Sequence, residues 1–184
     1  MGLHTLEEYY GLTATELMDA IEARFRLKVA VGGAVAEYQM QKHVERLDKD
    51  IVVQWKSHDT DGHPDFSIFI KGRTKPILAE CKNARNGVYR KAGIIKNYKV
   101  EFQKTRASKE DPTSRSYGFD QFKIVGVCLG NRTGIWSDFM FIRTIDLPCQ
   151  PNNSNKIQIM NRVPLIGGQL GNWSQDLGMV VGPS

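Results

Sequence analysis

Apolar positions follow two rhythms along this chain. Near the start, Leu17, Ile21 and Phe25 recur at helical spacing behind Thr13 and Glu16, which stand as a capping box, so residues 13–26 are predicted to form a helix. The short apolar run KVAV then meets Gly32-Gly33, which is expected to break it. A second helix is predicted over 34–47, with Val35, Val44 and Leu47 on its apolar side. Beyond it the period shortens. IVVQWKS, DFSIFI and PILAECK read as strands, the last two paired across a Lys71-Gly72-Arg73-Thr74 turn. Residues 94–107 are predicted as a basic helix, KEDPTSRSYG as a loop and FKIVGVCL as a buried strand. FMFIRTIDL and KIQIMNRVPL are further strands, and the Gly-rich segment from Gly167 is irregular, a flexible end or a docking arm.

The pattern is broken where the hairpin strands end. Asp65 opens one strand, and the other closes on Glu80, Cys81 and Lys82. Side chains alternate along a strand, so Glu80 and Lys82 share a face and Cys81 points the other way, into the core. A twisted hairpin can bring Asp65 beside them. Two carboxylates at close quarters repel, and burial raises the cost of their charge. A divalent cation removes that penalty, and hard oxygen donors suit Mg²⁺, which takes water and phosphate oxygens in its remaining positions. With a lysine alongside, the triplet has the composition of a phosphodiesterase site.

PDFSIFI…PILAECK resembles the signature of the PD-(D/E)XK nuclease superfamily. The order of elements resembles it too: a helix bearing an acid, a strand, a strand with Asp, a strand with E-x-K, a helix and a strand. The resemblance spans about residues 33–130. It implies an α/β restriction-endonuclease-like fold, with a mixed central sheet flanked by helices. It implies Asp65 and Glu80 as ligands of Mg²⁺ (or Mn²⁺ in its place), Lys82 as the catalytic lysine, and Glu37 as a helix-borne acid supporting the metal site; Glu45 or Glu22 would take that place if the helix phase were different. Within the superfamily the chain looks most like type II restriction enzymes, which cut double-stranded DNA at specific sequences in a prokaryotic cytoplasm.

Composition and charge agree with such a partner without requiring it. The chain has 184 residues, 41% hydrophobic and 24% charged, enough for one domain over 1–184 with a full core. Its net charge is +5 and its pI about 9.1. The stretch after the motif carries Arg85, Arg90, Lys91, Lys96, Lys99, Lys104 and Arg106 against a single acid, Glu101, with Tyr89 and Tyr98 interleaved. These cations are candidate DNA-backbone contacts, and Gln103 is a candidate to orient water or phosphate.

Other features carry less. Cys81, Cys128 and Cys149 form no C-x-x-C pair, which speaks against a zinc ribbon or a disulfide framework and for a reducing compartment. No signal-peptide pattern opens the chain, and no apolar run approaches membrane-spanning length. HDTDGH imitates part of a calcium loop but has Ile70 where the closing Glu belongs, so it reads as a polar turn. IGGQLGN lacks the Gly-Lys-Ser/Thr of a phosphate loop, and Trp55, Trp136 and Trp173 read as core or interface residues rather than base-stacking platforms. One acid–acid–lysine set per chain implies one strand cut per site. A homodimer or a recognition partner is therefore expected for double-strand cleavage. The competing functions are a structure-specific repair nuclease, a nicking subunit and a catalytically silent DNA-binding module.

Overall fold

The computed structural model describes residues 4–60, 62–104 and 115–182. The chain divides into two compact units, Met1–Val35 and Ala36–Ser184.

The first unit is helical. α1 (Thr5–Tyr10) is capped by His4, whose backbone N–H is bonded in return by Glu7, and it stops at Gly11 in the left-handed conformation. α2 (Ala14–Glu22) carries the predicted capping box of Thr13 and Glu16. It ends four residues before the expected limit, and α3 (Phe25–Glu45) begins almost at once. The glycine pair does not break α3. Each glycine costs a helix interior roughly 1 kcal/mol, which weakens the helix without forbidding it. From Ala36 onward the helix is anchored, because Ala36, Met40 and Val44 are buried at 3.6-residue spacing.

The second unit is built on a seven-stranded sheet. The first three strands are β1 (Val52–Ser57), β2 (Phe66–Ile70) and β3 (Ile77–Lys91), antiparallel neighbours as the hairpin reading expects. β3 is twice as long as its sequence pattern suggested, and it is shared. Its first half pairs with β2 on one side and, in parallel, with β5 (Ile124–Cys128) on the other; its second half pairs with β4 (Ile94–Glu101). After the short α4 (Gly130–Thr133), β6 (Phe139–Arg143) extends the sheet beyond β5. β7 (Cys149–Gln150) and β8 (Asn153–Ile157) form a separate ribbon, and β9 (Met160–Pro164) closes the edge beside β4. KIQIMNRVPL therefore contributes to two strands, with Gln158 and a bend at Ile159 between them. Pro164 is tolerated because β9 is an edge strand.

The predicted helix over 94–107 is a strand over its first eight residues. Ala92 and Gly93 both have positive φ, 49° and 77°, and they make a two-residue turn that folds β4 back on β3 with Lys91 opposite Ile94. The alternation in Ile-Ile-Lys-Asn-Tyr-Lys-Val-Glu then decides the strand. Val100 is buried while Lys99 and Glu101 point away from it. Arg106, in the last part of that predicted helix, lies outside the described residues.

The sheet separates two apolar clusters. One is formed by Ala36, Met40 and Val44 of α3 against Phe66, Ile68, Cys81 and Phe141, closed by Leu177 and Val181. A side chain at Gly126 would come within 2.9 Å of the Met40 sulfur, so this glycine lets α3 lie close on the sheet. The other cluster packs Ala84, Val100, Val127 and Val163 against Tyr117, Phe122, Leu147 and Ile157. The sheet is thus covered by helix on one face and by loop and ribbon on the other, a mixed α/β arrangement. α5 (Gly178–Val181) and the bonds between Ser174 and Phe141 dock the C-terminal segment onto β6, which makes it an arm with a fixed seat. Among the described residues no helix is long and apolar enough to cross a membrane.

Candidate active site

The site forms where β2 gives out beside β3. The last paired residues are Phe66 and Ala79, so Asp65 and Glu80 come next on their two strands. Here the ladder is finished by a side chain. The backbone N–H of Cys81 donates to Asp65 Oδ2 at 2.6 Å, a bond that pins the carboxylate against β3. The Asp65 carbonyl in turn accepts from His58 N–H, which holds the approach to β2.

Glu80 is 5% exposed. Its Oε1 accepts from the Lys82 ammonium at 2.5 Å and from the Tyr117 hydroxyl at 2.6 Å. The strand period explains the first bond, since residues two apart share a face. The second comes from a segment that the parallel pairing of β5 carries past the site, with Glu80 opposite Val125. The Lys82 ammonium also lies 5.2 Å from the centre of the Tyr117 ring, and Lys104 approaches the same ring at 5.9 Å. Tyr117 therefore lies among Glu80, Lys82 and Lys104. Sequence reading assigned it to a polar loop. The signal that marks it is an aromatic residue within a polar segment, a few positions before the buried β5.

Electrostatics follow from this crowding. Burial, with the Glu80 charge next in weight, lifts the Asp65 carboxyl from its ordinary 3.8 to about 7; the Cys81 N–H and Lys82 oppose the rise. Burial acts to lower the Lys82 ammonium, but the charge and hydrogen bond of Glu80, with Tyr117 and Asp65 behind it, more than reverse this and hold it above its ordinary value. The Tyr117 hydroxyl is pushed up by burial first, then by Glu80, against the pull of Lys82. Lys82 thus stays charged and Tyr117 stays neutral across the physiological range.

Glu37 is on α3, one turn before Met40. Its carboxyl is raised by partial burial, with Lys82 opposing and Asp59 and Glu80 adding to the rise. It shares the field of the site, and among the described residues it makes no hydrogen bond to the Asp65–Glu80–Lys82 group. Cys81 is buried in the α3 cluster with its thiol pushed well up, first by burial, which fits a core residue.

The donor set suits a hard cation of the magnesium type. Among the described residues no group of three or more His, Cys, Asp or Glu side chains gathers in the manner of an all-protein cage. Two carboxylates at the end of a strand pair offer an open site instead. Mg²⁺ is commonly bound through one or two carboxylates, with water and phosphate completing its shell. The described bonds of Asp65 go to Oδ2 and those of Glu80 to Oε1, which leaves an oxygen on each as a donor. Near HDTDGH, His58 bonds Ser67 and its ring lies tilted against that of His63, a polar turn as expected; Asp61 lies outside the described residues.

The candidate DNA contacts sit on strands, not on a helix. Arg85, Arg90 and Lys91 belong to β3, and Lys96 and Lys99 to β4. Gln103 bridges to Ser116, while the Lys104 backbone N–H bonds the Arg115 carbonyl. Trp55, Trp136 and Trp173 pack against the apolar clusters, as the sequence suggested.

Comparison with protein-family models, with curated proteins and with solved structures finds no match.

Proposed function

We propose that this protein is a metal-dependent DNA endonuclease with a restriction-endonuclease-like core, the reading its motif resembles. The observation that carries it is the meeting of Asp65, Glu80 and Lys82 where β2 ends beside β3, with the Asp65 carboxyl raised to about 7 by burial and by the Glu80 charge. A site that keeps two acids close enough to oppose each other's ionisation, with a charged lysine in hydrogen-bond contact, is poised for a divalent cation and an anionic substrate. The parallel pairing of β5 with the E-x-K strand, and an acid on the helix packed against the sheet, also support this core. The strand β4 in place of a helix after the motif is a departure from it.

Asp65 and Glu80 would hold Mg²⁺, or Mn²⁺ in its place. Bound there, the cation would supply charge neutralisation at the scissile phosphate and a lower pKa for the attacking water. Cys81 N–H and Tyr117 fix the two carboxylates, so they are oriented before substrate arrives. Lys82 supplies a fixed positive charge where negative charge grows on the phosphorus centre. Its bond to Glu80 holds the ammonium beside that carboxylate. One site per chain cuts one strand, so a double-strand break takes two copies, and a homodimer is the simplest assembly.

The test is to incubate the protein with a long double-stranded DNA of known sequence and Mg²⁺, then map the ends. Ends at one recurring sequence support a restriction enzyme. Ends only at flaps or branches support a repair nuclease. Single-strand nicks alone support a nicking subunit that needs a recognition partner, and absence of ends under Mg²⁺ and Mn²⁺ overturns the enzyme reading in favour of a silent DNA-binding module.

A further inference from the structure

The outer half of β3 and its neighbours carry a second feature that the catalytic cluster does not use. Across β3, β4 and β9 the register places Arg85 opposite Lys99, and Lys99 opposite Arg162. Three cations thus stand in a row on adjacent strands, on the face away from buried Ala84, Val100 and Val163. Like charges directly opposite each other destabilise a sheet. Among the described residues Glu101 is the acid on this face, and it is engaged by Arg85. Lys99 and Arg162 have an aromatic partner instead: their charged groups lie 4.9 and 4.0 Å from the centre of the Tyr89 ring. Gly87 leaves the Lys99 side chain room, since a Cβ there would come within 3.2 Å of it. The bulge between Arg85 and Val88 brings Tyr89 opposite Asn97, on the same face as the row.

We propose that this face is a phosphate-binding platform for the backbone of duplex DNA, with Lys99 and Arg162 as its two principal contacts and Tyr89 as the ring that holds them. Strands lie about 4.8 Å apart, so the row reaches across roughly 10 Å, about three 3.4 Å steps of one DNA strand. The arrangement selects backbone over bases. A platform for single strands offers bare aromatic faces on which bases stack. Here Tyr89 is covered by two cations, so what faces outward is charge. The inference rests on the nuclease reading only for its choice of duplex DNA, and Arg162 falls outside the basic stretch from which DNA contacts were expected.

The test is metal-free binding of a fluorescent DNA duplex across a salt series, with K99Q/R162Q, Tyr89→Phe and Tyr89→Leu beside the parent. Each lost contact lowers the slope of log affinity against log salt by about 0.9. Between 50 and 200 mM salt the parent should therefore lose about 12-fold more affinity than the double variant. Tyr89→Phe should keep the parent slope, while Tyr89→Leu should lower it. These side chains lie on the face away from the core, so equal melting temperatures serve as the folding control. An unchanged slope in K99Q/R162Q overturns the proposal, as does tighter binding of a single strand or of an RNA duplex than of duplex DNA. Cleavage under Mg²⁺ is read separately. Parent protein that binds duplex through this face yet never cuts defeats the nuclease reading and leaves the platform standing; protein that cuts with an unchanged slope does the reverse.

Discussion

One strand, β3, passes through two different environments. In its first half, Ile77–Asn83, it pairs with β2 over Ile77–Ala79 and with β5 over Ala79–Asn83, and the charges there are matched within the fold: Lys82 against Glu80, and the neighbouring Asp65 against the Cys81 N–H. In its second half, Ala84–Lys91, it runs out to solvent beside β4, and its cations outnumber their acidic partners. The contrast separates two tasks. Charge that is buried and coupled suits chemistry at one point; charge that is exposed and repeated suits holding a long polyanion. Substitutions in the inner half should therefore alter turnover, stability and pH response, and those in the outer half should alter binding and its salt dependence.

The largest effect belongs to Glu80→Gln, which keeps the shape and a hydrogen-bond acceptor while removing the charge. Cleavage should fall by several kcal/mol of transition-state stabilisation, roughly 10³-fold or more, with DNA binding kept or tightened. Turnover near that of the parent at matched Mg²⁺ would remove Glu80 from the metal site.

Next comes Asp65. Its carboxyl is raised in the folded protein, so the metal-free fold favours the protonated form. That contribution is fully present below about pH 4 and is lost as pH rises through about 7. Asp65→Asn escapes the loss. Without metal the variant should be more stable than the parent at pH 8, by about 2–4 kcal/mol, with the gap closing near pH 4. Mg²⁺ should then raise the melting temperature of the parent at pH 8 and leave that of the variant in place. Parallel melting curves across this range would mean that Asp65 is not confined as described.

Lys82→Ala should cost about 3 kcal/mol in kcat, with Mg²⁺ binding largely kept because an ammonium is not a ligand. Tyr117→Phe, which removes one bond to Glu80, should cost about 1 kcal/mol. If Tyr117→Phe proved the more damaging of the two, Tyr117 rather than Lys82 would be the group acting at the phosphate.

These contrasts were unequally legible in the sequence. The acid–acid–lysine set could be read because it is local. It rests on a period of two and on the point where β2 begins beside β3, and both survive folding although β3 runs on past Lys82 to Lys91. β1, β2 and β5 were legible as apolar runs between turns. β4 was not. Lys96 and Lys99 fall three apart and imitate a helix face, while the turn that decides the matter, Ala92-Gly93, is not one of the commonest hairpin pairs. The glycine pair in α3 misled for the opposite reason, because a breaker was given more weight than the apolar anchors Ala36, Met40 and Val44 behind it. Tyr117 and Arg162 were missed because they reach their partners only through pairing of distant strands. Glu80 is 37 residues from Tyr117, and Lys99 meets Arg162 across the β4–β9 register.

The smallest effect is expected on β4, beside the outer half of β3. Lys96→Gln should change folding stability by less than about 0.5 kcal/mol, because its side chain is exposed and bears on neither cluster. A loss of several kcal/mol there would show that the outer strands depend on their charges for folding, and the division of β3 into two tasks would fail.

The most direct measurement is the conversion of supercoiled plasmid by purified protein in Mg²⁺, run beside the same protein in chelator and beside Asp65→Asn at equal concentration. The account predicts nicked or linear plasmid with the parent and Mg²⁺, and intact supercoils in the other two lanes. Equal conversion by Asp65→Asn, or by the parent in chelator, would contradict it.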